Sequence, residues 1–194
     1  IVLSNDPQSE KLPRTKAIAN LLFQFCGMPF SDLAHLEKSN LKQGLLKYNR
    51  LKTGTPMSIE VLESAHNAIG GLYNKTDARS PDYPDYLFRI LSGAYKRDEE
   101  EAYSEYQSAL RRFNNDLKSL SRKLRISSSV TSYTLRHSWA TTAKYRGVPI
   151  EMISESLGHK SIKTTQIYLK GFELEERTKV NKLNYSYVCS FKMF

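Results

Sequence analysis

Little in this sequence is suited to covalent or metal cross-linking. It holds only two cysteines, Cys26 and Cys189, with no CxxC pair and no cysteine/histidine spacing of a zinc site. That argues against a disulfide-built scaffold and for a reducing compartment. Long apolar runs are also missing. The longest greasy stretch, residues 19–25, is interrupted by Asn20 and Gln24 and falls far short of the ~18 residues a membrane span requires. No charged-then-apolar leader opens the chain, and there is no internal repeat. Position 1 is Ile rather than Met, so the chain reads as a piece or processed product of a longer one.

What is abundant is positive charge. In 194 residues, 29 Lys and Arg stand against 20 Asp and Glu, a net +9, while hydrophobic residues make up 40%. That is enough apolar material for one ordinary globular domain and too balanced for disorder. The excess of cations leans toward an anionic partner, because Lys and Arg that neutralise phosphates release counterions and dominate nucleic-acid affinity.

Periodicity sketches a mainly helical fold with a small antiparallel hairpin or sheet. Residues 1–14, with Pro7 and Pro13, read as a linker or strap, and 15–25 as the first helix. A short helix capped by Ser31 follows. Two strands over 45–50 and 55–59 flank the turn Lys52-Thr53-Gly54. The spacing predicts a helix over 60–73 and a loop over 74–86, which holds Pro81 and Pro84. The long helix that begins after the acidic run 98–101 carries Tyr103, Tyr106, Leu110, Phe113, Leu117, Leu120 and Leu124 at intervals of three and four, a core stripe. Three short helices follow: 134–146 stopped by Gly147, one started by Pro149 and stopped by Gly158, and one capped by Ser161 that ends near Gly171. A charged helix over 174–183 and an aromatic tail over 185–194 close the chain.

One constellation carries chemistry. Tyr133-Thr134-Leu135-Arg136-His137-Ser138-Trp139, Leu157-Gly158-His159 and Thr164-Thr165-Gln166-Ile167-Tyr168 place an arginine, a histidine and a tyrosine 23 and then nine residues apart. Helix geometry lets all three point into one cleft. This resembles the carboxyl-terminal signature of the tyrosine recombinase, or phage integrase, family: a His-x-x-Arg box, a Leu-Gly-His box and a nucleophilic tyrosine nine residues on. The wording of Arg136–Thr141 resembles the branch carried by mobile elements of Bacteroidetes. Upstream, Gly27-Met28-Pro29-Phe30-Ser31-Asp32-Leu33 resembles the family's Gly-Leu-Arg-x-Ser-Glu-Leu box, and Lys52 lies where the family's hairpin lysine is expected.

The resemblance implies a catalytic domain over 15–183, without the DNA-binding domain that would precede it, and a tail over 184–194 that docks on a neighbouring protomer or folds back. It implies duplex DNA as partner, a homo-oligomer forming a tetrameric synapse on it, no cofactor or metal, and residence with the nucleoid in a bacterial cytoplasm. Tyr168 would be the nucleophile, Arg136 and His159 the phosphate donors, and Lys52 the acid. Two positions depart from the pattern. Pro29 stands where the first arginine belongs and cannot donate a hydrogen bond, so Arg50 is the candidate substitute. Tyr133 replaces the first histidine and keeps a hydroxyl for the phosphate.

Blander readings stand beside these. Tyr168 alone would be core, His159 a helix-end cap, Arg136 an ion-pair partner of Glu151 or Glu155, and Lys52 a solvated turn residue. Trp139 reads as a core anchor. His35, His66 and His137 read as structural or surface residues. Lys144, Arg146, Lys160 and Lys163 flank the cleft residues as phosphate contacts or as a solvated basic face. Two functions remain open: a strand-cleaving recombinase, or a DNA-gripping module that has lost cleavage.

Overall fold

The computed structural model describes residues 13–78 and 80–169, with positions 178 and 182. Residues 1–12 of the strap expected over 1–14, the tail over 184–194 and, apart from helical Thr178 and Lys182, the helix over 174–183 lie outside the described residues, while positions 13 and 14 open the first helix rather than a strap.

The chain enters through α1, Pro13–Gln24, with a proline at its first position, where a missing N–H costs nothing. Ile18, Ala19, Leu21 and Leu22 bury its inner face. Cys26 and Gly27 then both take positive φ, 56° and 66°, and reverse the chain. Gly27 lies so close to the fifth helix that a Cβ would stand 3.3 Å from Arg136 Cα and from Trp139 Cβ. The short helix α2, Phe30–Ala34, has its cap two residues earlier than expected. Pro29 occupies its cap position, and the Ser31 hydroxyl donates to Asp32 Oδ1 at 3.2 Å instead of capping.

Three antiparallel strands follow in the order β1, Leu41–Lys42; β2, Leu45–Asn49; β3, Pro56–Glu60. Gln43 and Gly44, both at positive φ, form the two-residue turn between β1 and β2, where two left-handed residues match strand twist. The longer loop between Asn49 and Pro56, which pair across β2 and β3, carries Arg50, Lys52 and Thr53. The helix expected over 60–73 is shorter. Glu60 ends β3, Glu63–Ala65 form a 3-10 turn, and α3 runs only over His66–Leu72.

The long helix α4, Glu100–Lys123, begins with Glu100 and Glu101 and ends with Arg122 and Lys123, each charge favoured by the helix dipole. Phe113, Leu117 and Leu120 are buried, but Tyr103 is 65% exposed. The first turns of α4 overhang the core, so the expected stripe is buried only from the helix middle onward. Then come α5, Ser132–Tyr145, with a Thr131/Thr134 capping box; α6, Ile150–Ser156; and α7, Ile162–Tyr168, capped by Ser161.

Burial divides the side chains into two clusters. The main core draws on α1 to α5 and the sheet. A second, smaller cluster joins Ala140, Ile153, Leu157 and Leu169, with Trp139, Ala143, Val148 and Tyr168 against it. Gly158, at φ 66°, brings the α6–α7 corner against the sheet: a Cβ there would meet Met57 Sδ at 2.8 Å and Arg50 Cγ at 2.9 Å. The seam between the two clusters is where the polar groups collect. Among the described residues no helix is long and apolar enough to cross a membrane.

Candidate active site

Four of the expected residues meet at this seam. Arg136, on the second turn of α5, is only 7% exposed. Its guanidinium donates from Nη1 to Gly27 O at 2.9 Å and from Nη2 to Leu157 O at 2.7 Å, and Nη2 lies 3.2 Å from His159 Nε2. These contacts occupy three of its five N–H groups. It pairs with neither Glu151 nor Glu155. The positive-φ turn at Gly27 presents one carbonyl and the end of α6 presents the other, so the fold aims the guanidinium through backbone groups rather than through a carboxylate.

Arg50 enters from the β2–β3 loop and is 6% exposed. Its Nη1 donates to the same Leu157 carbonyl, and Nε contacts Asp32 Oδ2 at 2.6 Å. That contact is a charge pair without the alignment of a hydrogen bond. Burial pushes the Asp32 carboxyl up, while Arg50 beside it pulls down. Among the described residues, two guanidinium groups and one carboxylate thus lie out of water together, an excess of one positive charge. Burial first, and Arg50 second, bring Arg136 down to about 10; it remains charged at neutral pH. Desolvation and the same two arginines drive His159 down to about 4, so its ring is neutral there.

Tyr168 ends α7 against this group. Its ring centroid lies 5.8 Å from that of His159, 5.8 Å from Tyr133 and 5.2 Å from His137, each edge-on. Its Oη is buried and makes no aligned hydrogen bond among the described residues, with the Tyr133 side chain close beside it. Burial pushes the phenol up, the adjacent Tyr133 phenol adds to this, and Arg136 opposes both. The nucleophile candidate is therefore a protonated phenol that needs a base. Beside it opens a depression of about 530 Å³, lined by Tyr133, Thr134, His137, Thr164, Ile167 and Tyr168.

Lys52 is exposed at the tip of the β2–β3 loop. Its neighbour Thr53 donates from Oγ1 to Gly158 O at 3.4 Å, which ties the loop to the corner bearing His159. Arg146, Lys160 and Lys163 are exposed and Lys144 is half-buried, at the end of α5 and around the start of α7. Three participants were invisible to motif reading. Asp32 belonged to a recognised box but carried no role, His137 looked structural, and Thr165 was merely part of the tyrosine box. Thr165 is fully buried, and a threonine three residues before Tyr168, on the same helix face, was the available signal. Among the described residues no three His, Cys, Asp or Glu side chains gather as metal ligands would.

Residues 3–174 match the profile of the Phage integrase family. Tyrosine recombinase XerA of Pyrococcus furiosus is 32% identical over 166 residues, 83% of this chain and 53% of that protein. A tyrosine recombinase of Thermosipho africanus is 40% identical over 170 residues, 88% of this chain and 54% of its own length. The chain thus spans about half the length of these curated relatives. Among solved structures, a XerA recombinase superposes with TM-score 0.61 at 24% identity over 93% of this chain and 62% of its own. The Tn1549 transposon integrase, in complex with a circular intermediate DNA, superposes with TM-score 0.57 at 17% identity over 92% and 60%. These likenesses agree with the mainly helical fold and its three-stranded sheet. With the family profile covering most of its length, and the arginine, histidine and tyrosine of its signature drawn to one seam, the chain belongs to the phage integrase family.

Proposed function

We propose that this chain is the catalytic part of a DNA integrase or site-specific recombinase that cuts and rejoins strands through a 3′-phosphotyrosine. The observation that carries the reading is the convergence of Tyr168 with Arg136 and His159, where the described residues place two buried guanidinium groups against one carboxylate. Tyr168 Oη attacks the backbone phosphorus; the Oη–P bond forms as the P–O5′ bond breaks. His159 or a water takes the phenol proton, and Lys52 gives one to the departing 5′ oxygen. Arg136, His159 and Arg50 hold the negative charge that builds on the non-bridging oxygens, with Tyr133 offering a further hydroxyl. The phosphotyrosine keeps the energy of the broken bond, so a second 5′ hydroxyl reverses the step without ATP or metal. Arg50 stands in for the arginine that Pro29 replaces. Losing one such donor outright would cost about 10²- to 10³-fold.

Lys144, Arg146, Lys160 and Lys163 contact flanking phosphates in this reading. The protein works as a homo-oligomer on duplex DNA, a tetramer at synapsis, with the nucleoid of a bacterium. The wording of Arg136–Thr141 supports an origin in Bacteroidetes mobile elements. The test is a pool of nicked duplexes with a randomised centre. Wild-type protein is expected to give a detergent-resistant covalent adduct that disappears in Tyr168→Phe, and sequencing the trapped DNA identifies the site. Binding that weakens steeply with salt but yields no adduct would mean a DNA-gripping module; no binding at all would defeat both readings.

A further inference from the structure

We propose that Thr165 is a positioning residue that holds His159 as its Nδ1–H tautomer, keeping the Nε2 lone pair free of a proton and turned toward Arg136 and Tyr168. The proposal deepens the recombinase reading and rests on it for its catalytic half. Thr165 is 0% exposed on the inner face of α7, and its Oγ1 lies 2.8 Å from His159 Nδ1. On the other side of the ring, Arg136 Nη2 lies 3.2 Å from Nε2. A guanidinium only donates, so Nε2 must accept and the single proton of the neutral ring must sit on Nδ1, donated to Thr165 Oγ1. Which nitrogen carries the proton is set by the bond the other makes: Arg136 requires an acceptor at Nε2, and the Thr165 hydroxyl, able to donate or accept, is placed to receive the Nδ1 proton.

The groups around the ring agree with a neutral imidazole. Arg136 and Arg50 are both close enough to oppose a positive charge on the ring, Tyr168 is an uncharged phenol, and Thr165 cannot supply a counter-charge. In the chemical step a phosphate oxygen draws Arg136 donors away from Nε2. The lone pair then accepts the Tyr168 proton as Oη bonds to phosphorus, and the new Nε2–H donates to a phosphate oxygen. Nδ1–H stays on Thr165 throughout. In the opposite tautomer Nε2 would already carry a proton and could not serve as base.

The test uses the 15N-labelled chain near pH 7 and two-bond 1H–15N correlations of the histidine rings, with His159 assigned by its loss in His159→Gln. The expected result is an Nδ1–H pattern in wild type, a shift toward Nε2–H in Thr165→Val, and recovery in Thr165→Ser. With nicked duplex at saturation, Thr165→Val is expected to slow adduct formation by about 10- to 100-fold, the usual effect of removing an orienting partner. The DNA concentration for half-saturation should stay within about two-fold, and serine should restore most of the rate. An Nε2–H wild type overturns the proposal whatever the variants do, and so does an Nδ1–H pattern that survives in Thr165→Val. The wild-type pattern does not depend on any Thr165 variant folding. An Nδ1–H wild type that forms no adduct supports the tautomer assignment and overturns the recombinase reading instead, so the two failures are distinct.

Discussion

Replacing Gly158 by alanine tests whether the α6–α7 corner is set by close approach to the β2–β3 loop. Two costs arise. The residue sits at φ 66°, where a side chain costs roughly 1–2 kcal/mol. The new Cβ would also stand 2.8 Å from Met57 Sδ and 2.9 Å from Arg50 Cγ. Met57 is flexible and yields cheaply. Arg50 does not, because its head is held by Asp32 and the Leu157 carbonyl, so overpacking adds about 1–3 kcal/mol. The sum is about 2–5 kcal/mol, or a fall in Tm of about 4–20 °C for a domain of this size. Thermal melts followed by circular dichroism measure it, with Gly70→Ala as the control. Gly70 lies in α3 at ordinary φ with open space around its Cβ position, so alanine there should stabilise by up to ~1 kcal/mol. A Gly158→Ala protein melting within about 2 °C of wild type would refute the account of this corner.

Three further outcomes are expected. Asp32→Asn leaves Arg50 buried without its counter-charge and should cost about 3–5 kcal/mol in urea unfolding; a loss under about 1 kcal/mol would mean the pair contributes nothing. His159 is held down to about 4, against an ordinary 6.5. Below about pH 6.5 the unfolded chain therefore binds a proton that the fold refuses, and this contribution to stability is complete above that pH and fades as pH falls toward 4. Melts at about pH 7.5 and pH 5 should show a smaller acid loss in His159→Gln than in wild type, and equal losses would contradict the shift. Tyr168→Phe removes a buried hydroxyl that makes no aligned hydrogen bond among the described residues, so stability should hold within ~1 kcal/mol while adduct formation vanishes; a larger destabilisation would mark Tyr168 as structural.

Local pattern decided much of this protein. Three-to-four spacing located α4, the glycine-bearing turn set off β2 and β3, the glycines at 147 and 158 marked two helix ends, and Ser161 capped α7 as expected. The nine-residue step from His159 to Tyr168 singled out the site, because α7 and its cap span that distance as one rigid unit. The errors lie at the ends of elements. Ser31 turns to Asp32 rather than capping α2, Tyr103 projects past the core, and the first turns expected of α3 are taken up by the end of β3.

Tertiary packing decided the electrostatics. That Gly27 and Gly158 are points of contact between elements, that Arg136 is aimed by two carbonyls rather than a glutamate, and that Arg50 shares Leu157 O with it depend on segments 107 to 109 residues apart meeting. His137 stands beside Tyr168 likewise only because α5 meets α7. Periodicity reports which side of a helix faces inward. It says nothing of which polar group waits there, and in a seam closed to water that neighbour determines whether an arginine, a histidine or a phenol is charged.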